Sequence, residues 1–374
     1  MSIIDIGHAV REGEELYVNA IENWLIEQDI ELVGPVEVTQ YSGGVSNWTY
    51  RLKYQNIDLI LRRPPAGTKT KLAYDMSREY HIQKALKEFY PTVPEMVALC
   101  EDESVLGCHF YVMKRIEGII PRADLPKELN FNEIQVNKLC INMVDKLIEL
   151  HTVPFHRTEL EEFGKGDGYC YRQVDSWDHR YEKAKTINVP SFKYVRKWLK
   201  ENTPVDSKIS LIHNDWRFDN LILDPSHPTN IIGVLDWEMA TLGDPLMDLG
   251  TALAYWVEEN DSPIFKATRR QPTHLKGMLT REEVVNYYLE KTGMTTENWT
   301  FYEVFGIFRL AVIAQQIYYR FYHKQTNNPA FKDFWIIVHA LHIRALKLIG
   351  VNKFEANEIA QKYIVKFKEL MHKS

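Results

Sequence analysis

The sequence predicts an α+β protein with two lobes, a small antiparallel sheet followed by a mostly helical remainder. Three observations carry this prediction. The chain has 374 residues, 45% hydrophobic and 26% charged, enough to bury a sizeable core and to divide it. Between about 36 and 115, short β-prone runs alternate with turn residues. Beyond about 130, apolar residues recur at helical spacing, broken only at 211–238.

The elements follow in order. Leu16, Ala20, Ile21, Trp24 and Leu25 share one face of a helix predicted over Glu14–Gln28, which Gly34-Pro35 ends. Strands are predicted over Val36–Tyr41, Tyr50–Tyr54 and Asp58–Arg62, a meander with Ser42-Gly43-Gly44 at its first turn. A helix over Tyr74–Phe89 and strands over Val97–Cys100 and His109–Arg115 complete the small lobe. Turn chemistry around Gly118 marks the boundary, giving lobes 1–117 and 118–374. Helices are then predicted over Asn132–Leu150, Val174–Thr186, Ser191–Glu201, Asp248–Trp256, Arg281–Lys291, Trp299–Lys324, Ala330–Ile349 and Glu355–Met371.

The formal net charge of −6 provides no global basic field, so neither nucleic acid nor an anionic membrane is an expected partner. The four cysteines lack metal-ligand or disulfide-scaffold spacing and read as free thiols. With no apolar leader and no apolar run of about 18 residues, a cytoplasmic, unanchored protein is expected. Oligomeric state is not legible.

The interruption at 211–238 reads as one hairpin carrying Asp215, Asn220 and Asp236. Phosphoryl transfer from ATP needs a group that takes the proton of the attacking hydroxyl, and oxygen ligands for Mg2+. Asp215 suits the base, while Asn220 and Asp236 offer an amide oxygen and a carboxylate to the metal. Asn220 is preferred to its neighbour Asp219 because successive residues entering a strand point to opposite faces. His213 reads as a brace for the loop. Arg217 can reach the transferred group or pair with Asp219. Asp244 and Asp248 read as turn and helix N-cap residues.

His213-Asn-Asp-Trp-Arg-Phe-Asp-Asn220 followed by Leu235-Asp-Trp237 resembles the aminoglycoside phosphotransferase and choline kinase-like family. Together with Gly168-Tyr-Cys-Tyr-Arg-Gln-Val-Asp-Ser-Trp177 and the run through Gly250, it is similar to the kinase-like domains fused to some acyl-CoA dehydrogenases and to their free-standing bacterial relatives. The similarity spans about 30 to 350 and implies a protein-kinase-like fold. It also implies that the glycine turn, with Gly43, Gly44, Ser46 and Asn47, covers the nucleotide. Read alone, that turn is as well explained as an ordinary hairpin. The resemblance aligns Arg62 with the family's phosphate-binding lysine, a departure that keeps charge but changes geometry. It gives Glu79 as the partner of Arg62, and places adenine near Met113 to Arg115, where Met113 also suits core packing.

Lys266, Arg269, Arg270, Lys276 and Arg281 make the segment after the hairpin basic, either as a solvated loop neutralised by Glu258, Glu259 and Asp261 or as part of a site for an anionic acceptor. The resemblance points to a hydroxy acid or its CoA thioester, with Arg172, Gln173 and Glu238 also on the substrate side. The expected activity is ATP- and Mg-dependent phosphoryl transfer to a hydroxyl of a small molecule. The alternatives are an aminoglycoside-modifying kinase and a weakly active nucleotide-binding module with a scaffold role.

Overall fold

The computed structural model describes residues 3–41, 47–65 and 75–351. Gly43, Gly44 and Ser46, the start of the helix predicted from Tyr74, and the last predicted helix lie outside them. The chain forms two compact units. One comprises residues 1–163 and 218–240, the other 164–217 and 241–374. The predicted lobes divide the chain once, near 118; compactness divides it three times, because 218–240 packs with the sheet-bearing unit.

In the first unit, helix α1 (Val18–Glu27) precedes strands β1 (Glu37–Gln40), β2 (Trp48–Lys53) and β3 (Asp58–Arg63), then helix α2 (Met76–Leu86), strand β4 (Met96–Cys100), the short helix α3 (Glu103–Leu106), strand β5 (Phe110–Lys114) and helix α4 (Glu133–His151). The five strands form an antiparallel sheet in the order β1-β2-β3-β5-β4, so the meander is as predicted and β5 inserts beside β3. Strand alternation sorts the side chains. Leu59, Leu61, Phe110 and Val112 join Ile21, Trp24 and Leu25 of α1 in one core. Ile60, Tyr111 and Met113 join Met76 and Tyr80 of α2 in another. Arg62 has the parity of Ile60 and stands opposite Tyr111 in the register, so it faces α2.

The same unit contains strands β7 (Leu221–Leu223) and β8 (Ile231–Val234), which form the central hairpin. It is anchored by an Ile119–Leu223 bridge and by the Val234 amide donating to the Thr92 carbonyl. A Cβ at Gly118 would lie 2.4 Å from Ile222 and 2.5 Å from the Leu223 carbonyl. Gly118, read from the sequence as a boundary, is a close-packing position against this hairpin.

The second unit contains helices α5 (Tyr169–Ala184) and α6 (Lys193–Glu201), strands β6 (Ser210–Ile212) and β9 (Thr241–Gly243), and helices α7 (Pro245–Ala254), α8 (Pro263–Ala267), α9 (Arg281–Thr292), α10 (Trp299–Tyr322) and α11 (Phe334–Leu348). The single hairpin predicted over 211–238 is therefore corrected. β6 pairs with β9, β7 with β8, and Asp215 lies in a different unit from Asn220 and Asp236. α5 starts five residues before its predicted start because Asp206, distant in sequence, caps the amides of Gly168, Tyr169 and Cys170 at 2.6, 2.9 and 2.8 Å. Burial opposes that charge, but the three amides hold the Asp206 carboxyl below the usual carboxylate range.

α7 and α10 meet at two glycines: a Cβ on Gly306 would lie 2.2 Å from the Gly250 carbonyl oxygen. Gly306→Ala forces the helices apart and is expected to cost about 1–3 kcal/mol, read as a lower urea midpoint with unchanged slope. Among the described residues, no helix is long and apolar enough to cross a membrane.

Candidate active site

In the sheet-bearing unit, Arg62 joins two carboxylates. Its Nη1 lies 3.0 Å from Glu79 Oε1 and its Nη2 3.0 Å from Asp236 Oδ1. Glu79 is only 2% exposed, so the reading of it as a solvated helix residue is wrong. Its Oε1 also accepts from the Tyr111 hydroxyl at 2.9 Å, and Gln83 Nε2 donates to that hydroxyl at 3.3 Å. Burial works against the Arg62 charge, but Glu79 and then Asp236 hold the guanidinium well above its ordinary pKa. Burial likewise keeps Tyr111 protonated and able to donate.

Asp236 follows β8 in the left-handed region, at φ 68°, and its side chain retains 31% exposure. The Leu235 amide donates to the Asn220 carbonyl at 2.8 Å, so the hairpin register brings the Asn220 and Asp236 positions to one end of β7 and β8. An amide oxygen and a carboxylate form a hard donor set that fits Mg2+. Asn47 Nδ2 donates to Glu238 Oε2 at 3.0 Å, linking the residue after the glycine turn to the segment after Asp236.

Met113 is buried in the α2-side core. Arg115 is also buried and pairs with Asp58 at 3.1 Å and Glu117 at 2.9 Å, while donating to Tyr41 Oη at 3.1 Å and to the Asp5 carbonyl at 2.8 Å. Its side chain is thus committed to structure.

In the helical unit, the loop at Asp215 is held from several sides. Asp248, inside α7, accepts the amides of His213 and Asn214, each at 2.8 Å. Asn214 takes φ 64°, exchanges hydrogen bonds with the Tyr169 hydroxyl, and its carbonyl accepts from Arg309 Nη2 at 2.8 Å. The helix N-cap is Asp244, which accepts from Leu246 and Met247; Asp248, expected as a cap, is instead the brace of the loop. Asp248→Ala strands two buried amides, each costing about 1–3 kcal/mol, and is expected to lower the urea midpoint and the turnover together. Arg217 pairs with Asp215 at 3.2 Å and stacks 4.9 Å from the Tyr255 ring. His213 is fully buried, and its Nδ1 accepts the Asp215 amide, as a brace would.

Arg172 donates to the carbonyls of Asp167 and Gly166, and Gln173 Oε1 accepts from Trp177. Arg269 donates to the Lys266 carbonyl, Arg270 is exposed, and Arg281 pairs with Glu258 and Asp261, so the basic segment is partly neutralised. Among the described residues, Cys170, Asp206 and Asp244 have metal-ligand spacing, but both carboxylates are occupied as helix caps.

The pattern of the phosphotransferase enzyme family matches residues 37–283. The chain belongs to that family. It is 36% identical over 289 residues to acyl-CoA dehydrogenase family member 10 of Mus musculus, covering 77% of this chain and 27% of that protein. To family member 11 of Gallus gallus it is 34% identical over 327 residues, covering 84% and 40%. The chain thus spans well under half the length of these relatives. A solved structure from Ralstonia eutropha, provisionally assigned as an aminoglycoside phosphotransferase, superposes with TM-score 0.76 at 27% identity, covering 89% of this chain and 98% of that one. The chain has the kinase-like fold of these small-molecule phosphotransferases.

Sequence reasoning missed Tyr111, Gln83, Tyr169 and Arg309. Only Arg309 carries a visible signal, an arginine within the apolar run Phe305–Ala314 of α10.

Proposed function

We propose that the protein transfers the γ-phosphoryl group of ATP to a hydroxyl of a small anionic metabolite, such as a hydroxy acid or a hydroxyacyl-CoA. The observation that carries this is the buried Glu79–Arg62–Asp236 chain of ion pairs, which spans the face of the sheet from α2 to the end of the hairpin. Arg62 carries a planar fork of donors suited to phosphate oxygens, and Glu79, held by Tyr111, sets its direction. Asp236 and Asn220 would hold Mg2+, which when bound neutralises charge on the phosphates. Asn47 and the neighbouring Gly43, Gly44 and Ser46 are assigned to cover the nucleotide, with adenine near Met113 and Arg115. Asp215 takes the proton of the acceptor hydroxyl, and Arg217, paired with it, faces the transferred charge.

An active enzyme is favoured over a scaffold because nucleotide binding alone requires no Asp215. The experiment is a screen of hydroxy acids, hydroxyacyl-CoA thioesters and aminoglycosides for stimulated ADP release in Mg buffer. Stimulation by an anionic hydroxyl compound is expected. Stimulation by aminoglycosides alone would replace this acceptor class, and none by any compound would favour the scaffold.

A further inference from the structure

Two arginines in the helical unit flank one indole next to the Asp215 loop. Arg309 Cζ lies 5.0 Å from the Trp177 ring centre and Arg180 Cζ 4.4 Å. Trp177 is buried, and Gln173 fixes its Nε1 at 3.1 Å. Arg309 is only 4% exposed, yet among the described residues it forms no ion pair. Its hydrogen bond is to a neutral carbonyl, that of Asn214. Arg180 has no hydrogen bond or ion pair there either.

The acids nearest in sequence on α5 are engaged elsewhere. Asp178 pairs with Arg196 and Lys200, and Glu182 with Arg196 and Lys185. Asp248, on the same loop as Arg309, receives the His213 and Asn214 amides. A buried guanidinium without a carboxylate is costly, and a second one beside it adds repulsion. Burial and the Arg309 charge accordingly hold the Arg180 guanidinium below its ordinary pKa. Such a pair with free donors around an aromatic face is matched by an anion.

We infer that Arg309, Arg180 and Trp177 form a subsite for the anionic group, carboxylate or phosphate, of the phosphoryl acceptor. A group held there lies against the residue preceding Asp215, which suits a short acceptor whose hydroxyl must meet that base. The inference rests on the phosphotransferase reading for its role and on the uncompensated arginine pair for its existence.

Arg180, exposed and outside the catalytic loop, is the residue to change. Initial rates with a hydroxy acid, its primary amide, a hydroxyacyl-CoA and the matching hydroxyacyl-pantetheine, which lacks the CoA phosphates, separate the two anion sources. Arg180→Gln is expected to raise KM roughly tenfold or more for the anionic acceptors, with KM for ATP and for the neutral analogues unchanged. Loss confined to the free acid identifies a carboxylate; loss confined to the CoA ester identifies a phosphate. An equal effect on charged and neutral acceptors, or none on either, overturns the subsite.

Calorimetric titration of the nucleotide-free protein with 3-hydroxybutyrate and with pyrophosphate reads the site without turnover. Binding weakened by Arg180→Gln upholds the anion subsite even if no acceptor is phosphorylated. Wild-type affinity equal to that of the variant for both probes overturns it while leaving the kinase reading intact.

Discussion

Asp215→Ala is expected to lower Mg-dependent ADP formation by roughly 10^2 to 10^4, the contribution of a positioned general base. The loop should survive the change. Its backbone is held by Asp248, Tyr169 and Arg309, none of which relies on the Asp215 side chain. The lost contact is the partly exposed pair with Arg217 at 3.2 Å. Far-UV circular dichroism and the urea midpoint should therefore stay close to wild type, and ATP affinity should persist. Asp215→Asn, which keeps shape and removes basicity, should show the same fall. Equal turnover in wild type and both variants would remove Asp215 from the proposed role.

Asp236→Ala is expected to abolish metal-dependent nucleotide binding. Asp236 supplies the only charged oxygen of the proposed metal pair, since Asn220 offers a neutral amide. Removal also leaves Arg62 with a single carboxylate, Glu79, in a buried setting. That pair remains compensated, so the expected cost to stability is smaller than for Glu79→Ala, which leaves Arg62 with the partly exposed Asp236 alone. Calorimetric titration with ATP, with and without Mg2+, makes the distinction. Wild type should show metal-enhanced affinity, and Asp236→Ala should bind ATP identically in both buffers. Metal enhancement preserved in the variant would disprove the assignment.

Both roles were readable before any coordinates, and the reason is local. Asp215, Asn220 and Asp236 sit in short motifs whose residue types limit the chemistry available to them. The first sheet was legible for a similar reason, as strand alternation and turn residues act within a few positions. β1, β2 and β3 fall within two residues of their predicted bounds. Errors arose where partners lie far apart in sequence. α5 was predicted to start late because its cap, Asp206, comes from a later segment. Asp248 resembled an N-cap because it follows a proline, whereas its carboxylate serves a loop more than thirty residues upstream. The hairpin at 211–238 looked continuous because two strand pairs are nested in it, β6–β9 outside and β7–β8 inside.

Composition, periodicity and motif spacing sufficed for the α+β class, the order of most elements and the residue types available for phosphoryl transfer. These properties depend on interactions between near neighbours along the chain. Folding added which acids are spent and which cations are left over. Arg115 became structural, Glu79 became the buried partner of Arg62, and Arg309 with Arg180 emerged as a pair without carboxylates. Burial and pairing are properties of residues that meet in space, and no short window of sequence contains both partners.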